Sequence, residues 1–494
     1  MSVLALDLGT GSVKAALVDD ELRVVASASR PYAVRAPRPG AAETEPAAWR
    51  AAVADAVVAA LAAASDAPAS RGPAIGPSAV GVCGQMHGVV LLGPDGAALA
   101  PAVLWPDTRA EHEVERLAAA PPGVRARLGN PLVPGMAGPL LAMIARTQPG
   151  ALWRAVAAVQ PKDWLRVALG GPGALAADPS DASGTLLWDV PGNRWDAEVC
   201  EILGVDIGLL PAVRGSHEVA GRTTGELGLP PGLPLVTGAA DTAAAMLGTG
   251  TVQPGRGMVT VGTGAQIVVP LSAPAVPGPE PVTHTYRSAV PVGATGGWYR
   301  MGAVQSAGLV LERVLAWLHA SWHEAVAALG NRPDGDPVFL PHLAGERTPW
   351  LDPHLRGAWT ALGLQHDRQA LLRAALTGVA CTIADAWDAV LETGADPGVP
   401  LLAGGGSVHR AWRQLLADVL RTPLRPALAP DAAVLGAAAL ALVGTGAIGL
   451  EDAVERLRDA AAGPDESVVE PDIGAIGWVL DTRARFEDAR HRLA

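Results

Sequence analysis

Asp7-Leu8-Gly9-Thr10-Gly11-Ser12-Val13-Lys14 and Val261-Gly262-Thr263-Gly264-Ala265-Gln266 are two glycine turns of the kind that grips a phosphate. Glycine adopts positive φ and lets backbone N–H groups approach an anion, while the threonine hydroxyl adds a donor. Two such turns facing each other would hold a polyphosphate from both sides. Gly-Thr-Gly also arises as an ordinary turn, as residues 248–250 and 444–446 illustrate. The two turns differ from those in their matched strand context and, for the first, in the flanking Asp7 and Lys14. Of 37 basic residues only Lys14 and Lys162 are lysines. Both are therefore candidates for positions that need a compact ammonium.

Four further stretches end apolar runs with polar or glycine residues. Gly84-Gln85-Met86-His87-Gly88 follows strand-like residues 79–83, at the C-terminal edge of a strand, where open α/β sheets place ligands. Taken alone, a Met-His turn is structural more often than not. Val103-Leu104-Trp105-Pro106-Asp107 brings an indole and a carboxylate to another strand end. Residues 233–240 deliver Asp241 and Thr242 to the start of an alanine-rich helix, beside the positive end of its dipole. The bland role for that aspartate is an N-cap. Gly404-Gly405-Gly406-Ser407 lies between a strand and a helix beginning at His409, a setting suited to phosphate or ribose and equally to close packing.

The elements that must position these residues follow from patterning. Each glycine turn joins two apolar runs, 3–6 with 15–18 and 258–261 with 267–271, and the pair recurs about half a chain apart. That repeat predicts two related α/β domains, each opening strand, turn, strand. At 494 residues the chain is too long for one core and suits two of about 240 residues. Helices are expected at 47–64, 111–120, 138–146, 164–169, 301–318 and 368–393, a Pro/Gly/Ser linker at 66–78, and a polar turn cluster at 177–185.

Hydrophobic residues make up 49% of the chain, and the net charge is −12 with no basic tract. Nucleic acid is therefore not expected as a partner. Cys83, Cys200 and Cys381 suggest neither disulfides nor a zinc site. No basic segment precedes Asp7, so a secretory signal is not expected and the protein is placed in the cytoplasm. Residues 434–450 are read as a buried helix and turn rather than a membrane span.

Walker A, Gly-x-Ser-x-Gly, His-Glu-x-x-His and His-Arg-Asp motifs are all missing. An ATP site built from facing turns is what remains. Asp7-Leu8-Gly9-Thr10, residues 84–88, Leu104-Trp105-x-Asp107, Pro161-Lys162-Asp163, Ser180-Asp181-Ala182-Ser183-Gly184-Thr185, Gly238-Ala239-Ala240-Asp241, Gly345-Glu346-Arg347-Thr348-Pro349 and Gly404-Gly405-Gly406 occur in that order over nearly the whole chain. This set resembles the FGGY carbohydrate kinases, most closely their xylulose kinase branch.

The resemblance implies two ribonuclease-H-like domains of the actin-like ATPase type with a cleft between them. Residues 1–250 would carry the sugar and the base, and 251–494 the nucleotide. It further implies that Asp241 is the general base, that Met86 and His87 contact the sugar, and that Trp105 and Asp107 help wall its pocket. Asp7 would serve Mg²⁺ and the phosphates. Thr10, Gly11, Ser12 and Lys14 would meet the phosphates, with Gly262 and Thr263 opposite, and Gly405 and Gly406 would lie against the nucleoside. An ionised aspartate can accept a hydroxyl proton during phosphoryl transfer, which otherwise depends on in-line positioning and charge neutralisation.

Two positions depart from the family pattern. Pro106 replaces an asparagine in Trp-Asn-Asp, and Thr242 replaces one in Gly-Asp-Asn; each loses an amide that could bind a sugar hydroxyl. The expected reaction is ATP-dependent phosphorylation of D-xylulose to D-xylulose 5-phosphate, the alternatives being another ketose or polyol and, more remotely, an actin-like nucleotide switch. The expected partners are a small sugar and ATP, with no nucleic acid or membrane; a homodimer is left open.

Overall fold

The computed structural model describes residues 1–494 apart from 66–75, 276–277, 292–296, 331–332, 334, 428, 463–466 and 494. Most of the expected linker at 66–78 lies outside the described residues.

Ser2–Leu8 is apolar and buried at nearly every position, as an inner strand requires. It pairs antiparallel with Ser12–Asp19, placing Asp7 opposite Lys14, and parallel with Val80–Gly84. The sheet runs Val219–Arg222, Pro234–Val236, Val80–Gly84, Ser2–Leu8, Ser12–Asp19, Val24–Pro31, with Ala239–Ala240 added beside Val80–Gly84. The second half repeats this plan. Met258–Val261 pairs antiparallel with Ala265–Leu271 and parallel with Leu401–Ala403. Its sheet runs His284–Arg287, Trp298–Val304, Ala265–Leu271, Met258–Val261, Leu401–Ala403, Arg425–Pro426. Both glycine turns thus join the first two strands of their sheets, and the two-part α/β architecture expected from the repeat is present.

Helix Pro46–Ser65 packs on Ser12–Asp19 and Val24–Pro31. Arg368–Leu391 fills the second core with Val379, Ile383 and Trp387. These two helices are long and apolar enough to cross a membrane by length and composition, whereas 434–450 holds a shorter apolar helix, Ala432–Gly444.

The helix expected at 301–318 begins only at Gly308. Residues 301–304 belong to the buried strand Trp298–Val304, paired along Ala265–Leu271. An apolar run buried on both faces carries no period that separates strand from helix.

Ala432–Gly444 returns from the second half to pack on Asp241–Gly248, Ser2–Leu8 and Val80–Gly84. Its alanine and glycine content permits very close approach. A Cβ on Gly436 would lie 1.9 Å from the Ala244 carbonyl oxygen, and one on Gly81 only 2.0 Å from that of Ala437.

Candidate active site

Three neighbouring strand ends bring the principal residues together. Asp7 is level with Cys83, and Ala239 and Ala240 are level with Cys83 and Gly84. Asp7, the 85–88 turn and Asp241 therefore emerge side by side at one edge of the first sheet, where such sheets bind ligands.

Asp241 is the first residue of helix Asp241–Gly248 rather than its cap. Its Oδ1 accepts from the Thr242 backbone N–H at 2.5 Å and from the Thr242 hydroxyl at 3.1 Å. Burial, and after it the nearby Asp7 charge, push the Asp241 carboxyl from 3.8 up to about 6, more than Thr242 draws it down. Asp7 is raised as well, chiefly by burial, against the lowering effects of Cys83 and Lys14. Its Oδ1 is buried without a hydrogen-bond partner. Two adjacent carboxylates held above their ordinary range are suited to a base and a cation ligand.

His87 sits at positive φ (70°) on the 85–88 turn. Its backbone N–H donates to Gln160 Oε1 at 2.7 Å, and its Nδ1 lies 2.7 Å from the Gly184 carbonyl. A carbonyl only accepts, so the proton is on Nδ1 and Nε2 is left as an acceptor. Burial pushes the imidazole down to about 4, so it is neutral at physiological pH. Gly184 allows this fit, because a Cβ there would stand 2.8 Å from Met86 Cε and 3.0 Å from His87 Cε1.

Trp105 donates its indole N–H to Thr10 Oγ1 at 2.9 Å, joining the expected acceptor pocket to the first glycine turn. Asp107 is fully buried, accepting from the Ala42 N–H at 3.0 Å and pairing with Arg109 at 2.5 Å. Its carboxylate thus fastens the turn that carries Trp105.

Gly11, Ser12, Gly262 and Thr263 lie exposed at the tips of the two turns. The carbonyls of Gly262 and Thr263 accept from the N–H groups of Gly308 and Leu309, at 2.9 and 3.0 Å, where helix Gly308–Trp317 begins. The 404–406 turn packs onto the same hairpin, since a Cβ on Gly406 would lie 2.5 Å from that of Val261. Gly405 is exposed beside it. Lys14 forms an ion pair with Asp431, the residue before helix Ala432–Gly444.

Lys162 lies beneath the acceptor side with no exposed surface, 2.6 Å from Asp163, 2.9 Å from Asp178 and 3.0 Å from Asp181. Burial alone would strip its proton, but the three carboxylates hold it and raise its pKa. Asp178 accepts from Ser180 Oγ at 2.5 Å, and that hydroxyl accepts from the Ala240 N–H at 2.9 Å, one residue before Asp241. The second lysine is therefore a scaffold for the aspartate.

Sequence reasoning did not anticipate that the second half reaches the residues expected to hold the acceptor. Strand His284–Arg287 is tied to the first half by the Arg287 N–H donating to Ser183 Oγ at 2.8 Å and the Thr285 N–H to Asn130 Oδ1 at 3.2 Å. It places Tyr286 against His87, with ring centroids 6.1 Å apart, and against His284 and Tyr299 at 5.2 and 5.5 Å. Arg347 lies over the Trp105 ring at 4.7 Å. A compositional signal was available: the chain has three tyrosines, and the third, Tyr32, donates to the Gly9 carbonyl in the first turn.

Duplicated α/β halves, with paired glycine turns and a carboxylate pair at the sheet edge, place this chain among the phosphotransferases of the actin-like ATPase fold. Residues 2–248 match the N-terminal domain, and 257–445 the C-terminal domain, of the FGGY family of carbohydrate kinases. The chain belongs to that family. A xylulose kinase of Streptomyces coelicolor is 35% identical over 482 residues, covering 95% of this chain and 93% of the relative. The crystal structure of a xyloylose kinase from Brucella ovis superposes with a TM-score of 0.87 at 32% identity, covering both chains fully. Plasmodium falciparum glycerol kinase with ADP shares the fold, with a TM-score of 0.85 at 19% identity over 100% of this chain and 99% of that one. The chain is a sugar phosphotransferase with a nucleoside triphosphate as donor, and the fold alone does not name the acceptor.

Proposed function

We propose that this enzyme transfers the γ-phosphoryl group of ATP to D-xylulose, giving D-xylulose 5-phosphate and ADP in the cytoplasm. Xylulose kinases related over nearly the full length support the acceptor. The observation that carries the reading is Asp241, a half-buried carboxylate beside Asp7 and the Met86-His87 turn, pushed up only to about 6 and so ionised at neutral pH. It takes the proton of the acceptor hydroxyl as that oxygen bonds to the γ-phosphorus, and the bond to the β,γ-bridging oxygen breaks, releasing ADP.

Met86, His87, Trp105 and Thr242 bound the acceptor, His87 through Nε2, while Asp107 steadies the Trp105 turn. Thr10, Gly11, Ser12 and Lys14 meet the phosphates from residues 1–250; Gly262, Thr263, Gly405 and Gly406 serve the nucleotide from 251–494. No group of three or more candidate ligands exists among the described residues. The unpartnered Asp7 Oδ1 nevertheless fits a Mg²⁺ bound by one carboxylate together with phosphate oxygens and water. Bound there, Mg²⁺ would neutralise phosphate charge.

A second reading keeps the kinase and changes the ketose or polyol, because Pro106 and Thr242 stand where amides are usual. Coupled ADP release across a panel of ketoses and polyols separates the two. D-xylulose is expected to give the highest kcat/KM, and a clear preference for another acceptor would overturn the choice. Asp241→Asn is expected to lose activity by orders of magnitude while still binding ATP.

A further inference from the structure

We propose that Arg347 is a substrate-contacting residue, through which the second half of the chain holds the oxygens of the sugar. The proposal rests on the acceptor being a ketose or polyol.

The backbone at Arg347 is clamped on both sides. The Glu346 carboxylate accepts from the N–H groups of Gln305 at 2.7 Å, Ser306 at 3.3 Å and Arg347 at 2.9 Å. On the other side, the Thr348 N–H donates to the Ala303 carbonyl at 2.9 Å, and the Ala303 N–H donates to the Thr348 hydroxyl at 3.1 Å. Both clamps fasten the loop to the end of strand Trp298–Val304. The side chain then reaches across to the first half, where its guanidinium lies over Trp105. Trp105 is the residue whose indole N–H is already committed to Thr10.

A guanidinium stays charged and presents five N–H donors in a rigid fork. Among the described residues, none of the recorded hydrogen bonds or ion pairs uses these donors, and the Trp105 ring face offers no lone pair to them. Leaving so many donors dry in a partly buried site is costly. A sugar with an oxygen on each carbon supplies the missing acceptors.

The direction of the side chain separates this role from one on the phosphate. The charge of Arg347 bears on His87, His284 and Tyr286, the groups around the acceptor turn. Its charge does not bear on Asp241, where the Asp7 charge acts, although Asp241 too reaches Tyr286. Arg347 thus lies on the side of His87 and Tyr286, donating to sugar oxygens while His87 accepts from a hydroxyl.

Arg347→Met and Arg347→Lys test this by calorimetric titration with the best acceptor of the wild-type enzyme, without nucleotide, and by steady-state kinetics. Losing a charge-assisted bond should weaken sugar binding and raise the sugar KM about 10- to 100-fold, with the ATP KM unchanged. The lysine variant keeps the charge but not the fork and should also bind sugar weakly; it carries the test should the methionine variant not fold. Unchanged sugar affinity with a lowered kcat would assign Arg347 to the phosphoryl group and overturn the proposal, as would a parallel rise in the ATP KM. Failure of the wild-type enzyme to bind any ketose or polyol would instead refute the acceptor class.

Discussion

Replacing Asp241, the residue proposed to take the acceptor proton, should make the protein more stable. Folding moves the Asp241 carboxyl from 3.8 to about 6, because burial and the Asp7 charge disfavour its ionised form. Below about pH 4 both folded and unfolded chains carry the proton there, and no penalty exists. As pH rises, the unfolded chain ionises first, so folding loses stability across the interval up to about 6. Above it the loss is constant at roughly 3 kcal/mol, taking about 1.4 kcal/mol per pH unit. Asp241→Asn removes the ionisation while its Oδ1 can still accept both Thr242 donors. Urea unfolding followed at pH 4 and pH 8 should therefore show wild type and variant nearly equal at the lower pH. At the higher pH the variant should be more stable by up to roughly 3 kcal/mol, while it turns over no sugar. A variant less stable at pH 8, or a gap independent of pH, would refute a carboxylate at position 241 whose charge is disfavoured in the folded protein.

The same carboxylate sets an acid limb. kcat/KM should fall tenfold per pH unit below about 6, and Asp7→Asn should move that limb to lower pH in the residual activity, because it removes a charge that raises Asp241. Lys162→Met leaves Asp178 and Asp181 buried without their cation, Asp163 keeping only Arg166; chemical denaturation should show a loss of about 3–5 kcal/mol. Gly436→Ala drives a Cβ against the Ala244 backbone, and should cost about 1–3 kcal/mol and lower kcat, since Ala244 belongs to the helix that begins at Asp241.

Most of the scaffold was legible because it is local. The glycine turns, the strands around them and the helix at 368–391 follow from short runs of apolar residues with turn chemistry between them, and Asp241 was found by the strand that delivers it. Tertiary placement was not legible. Nothing near Lys162 in sequence marks it as a buried cation under Ala240, since two of its three carboxylates, Asp178 and Asp181, arrive from a separate segment. Tyr286 and Arg347 escaped for the same reason: their neighbours Gly345-Glu346 and Thr348-Pro349 formed a recognisable motif, but the Trp105 ring that gives Arg347 its direction lies far away in the chain. The strand at 298–304 was misread as helix because burial on both faces erases the period on which such a reading depends.

The packing also constrains how the halves can move. Helix Ala432–Gly444 lies against the back of the first sheet and the Asp241 helix, and Leu450–Ala462 packs on both of those helices. Any movement that preserves these close glycine contacts must carry residues 432–462 with the first half. What packs around the second sheet is then the segment between Gly250 and Asp431 together with helix Ile476–Leu493, and it holds the second glycine turn, the 404–406 turn, Tyr286 and Arg347. The chain crosses between the halves before Met258, at Asp431, where Lys14 forms its ion pair, and again after Ala462, where Val469 bridges Leu424 and helix Ile476–Leu493 packs on the second half. The lysine of the first glycine turn is thus fastened at one of these crossings.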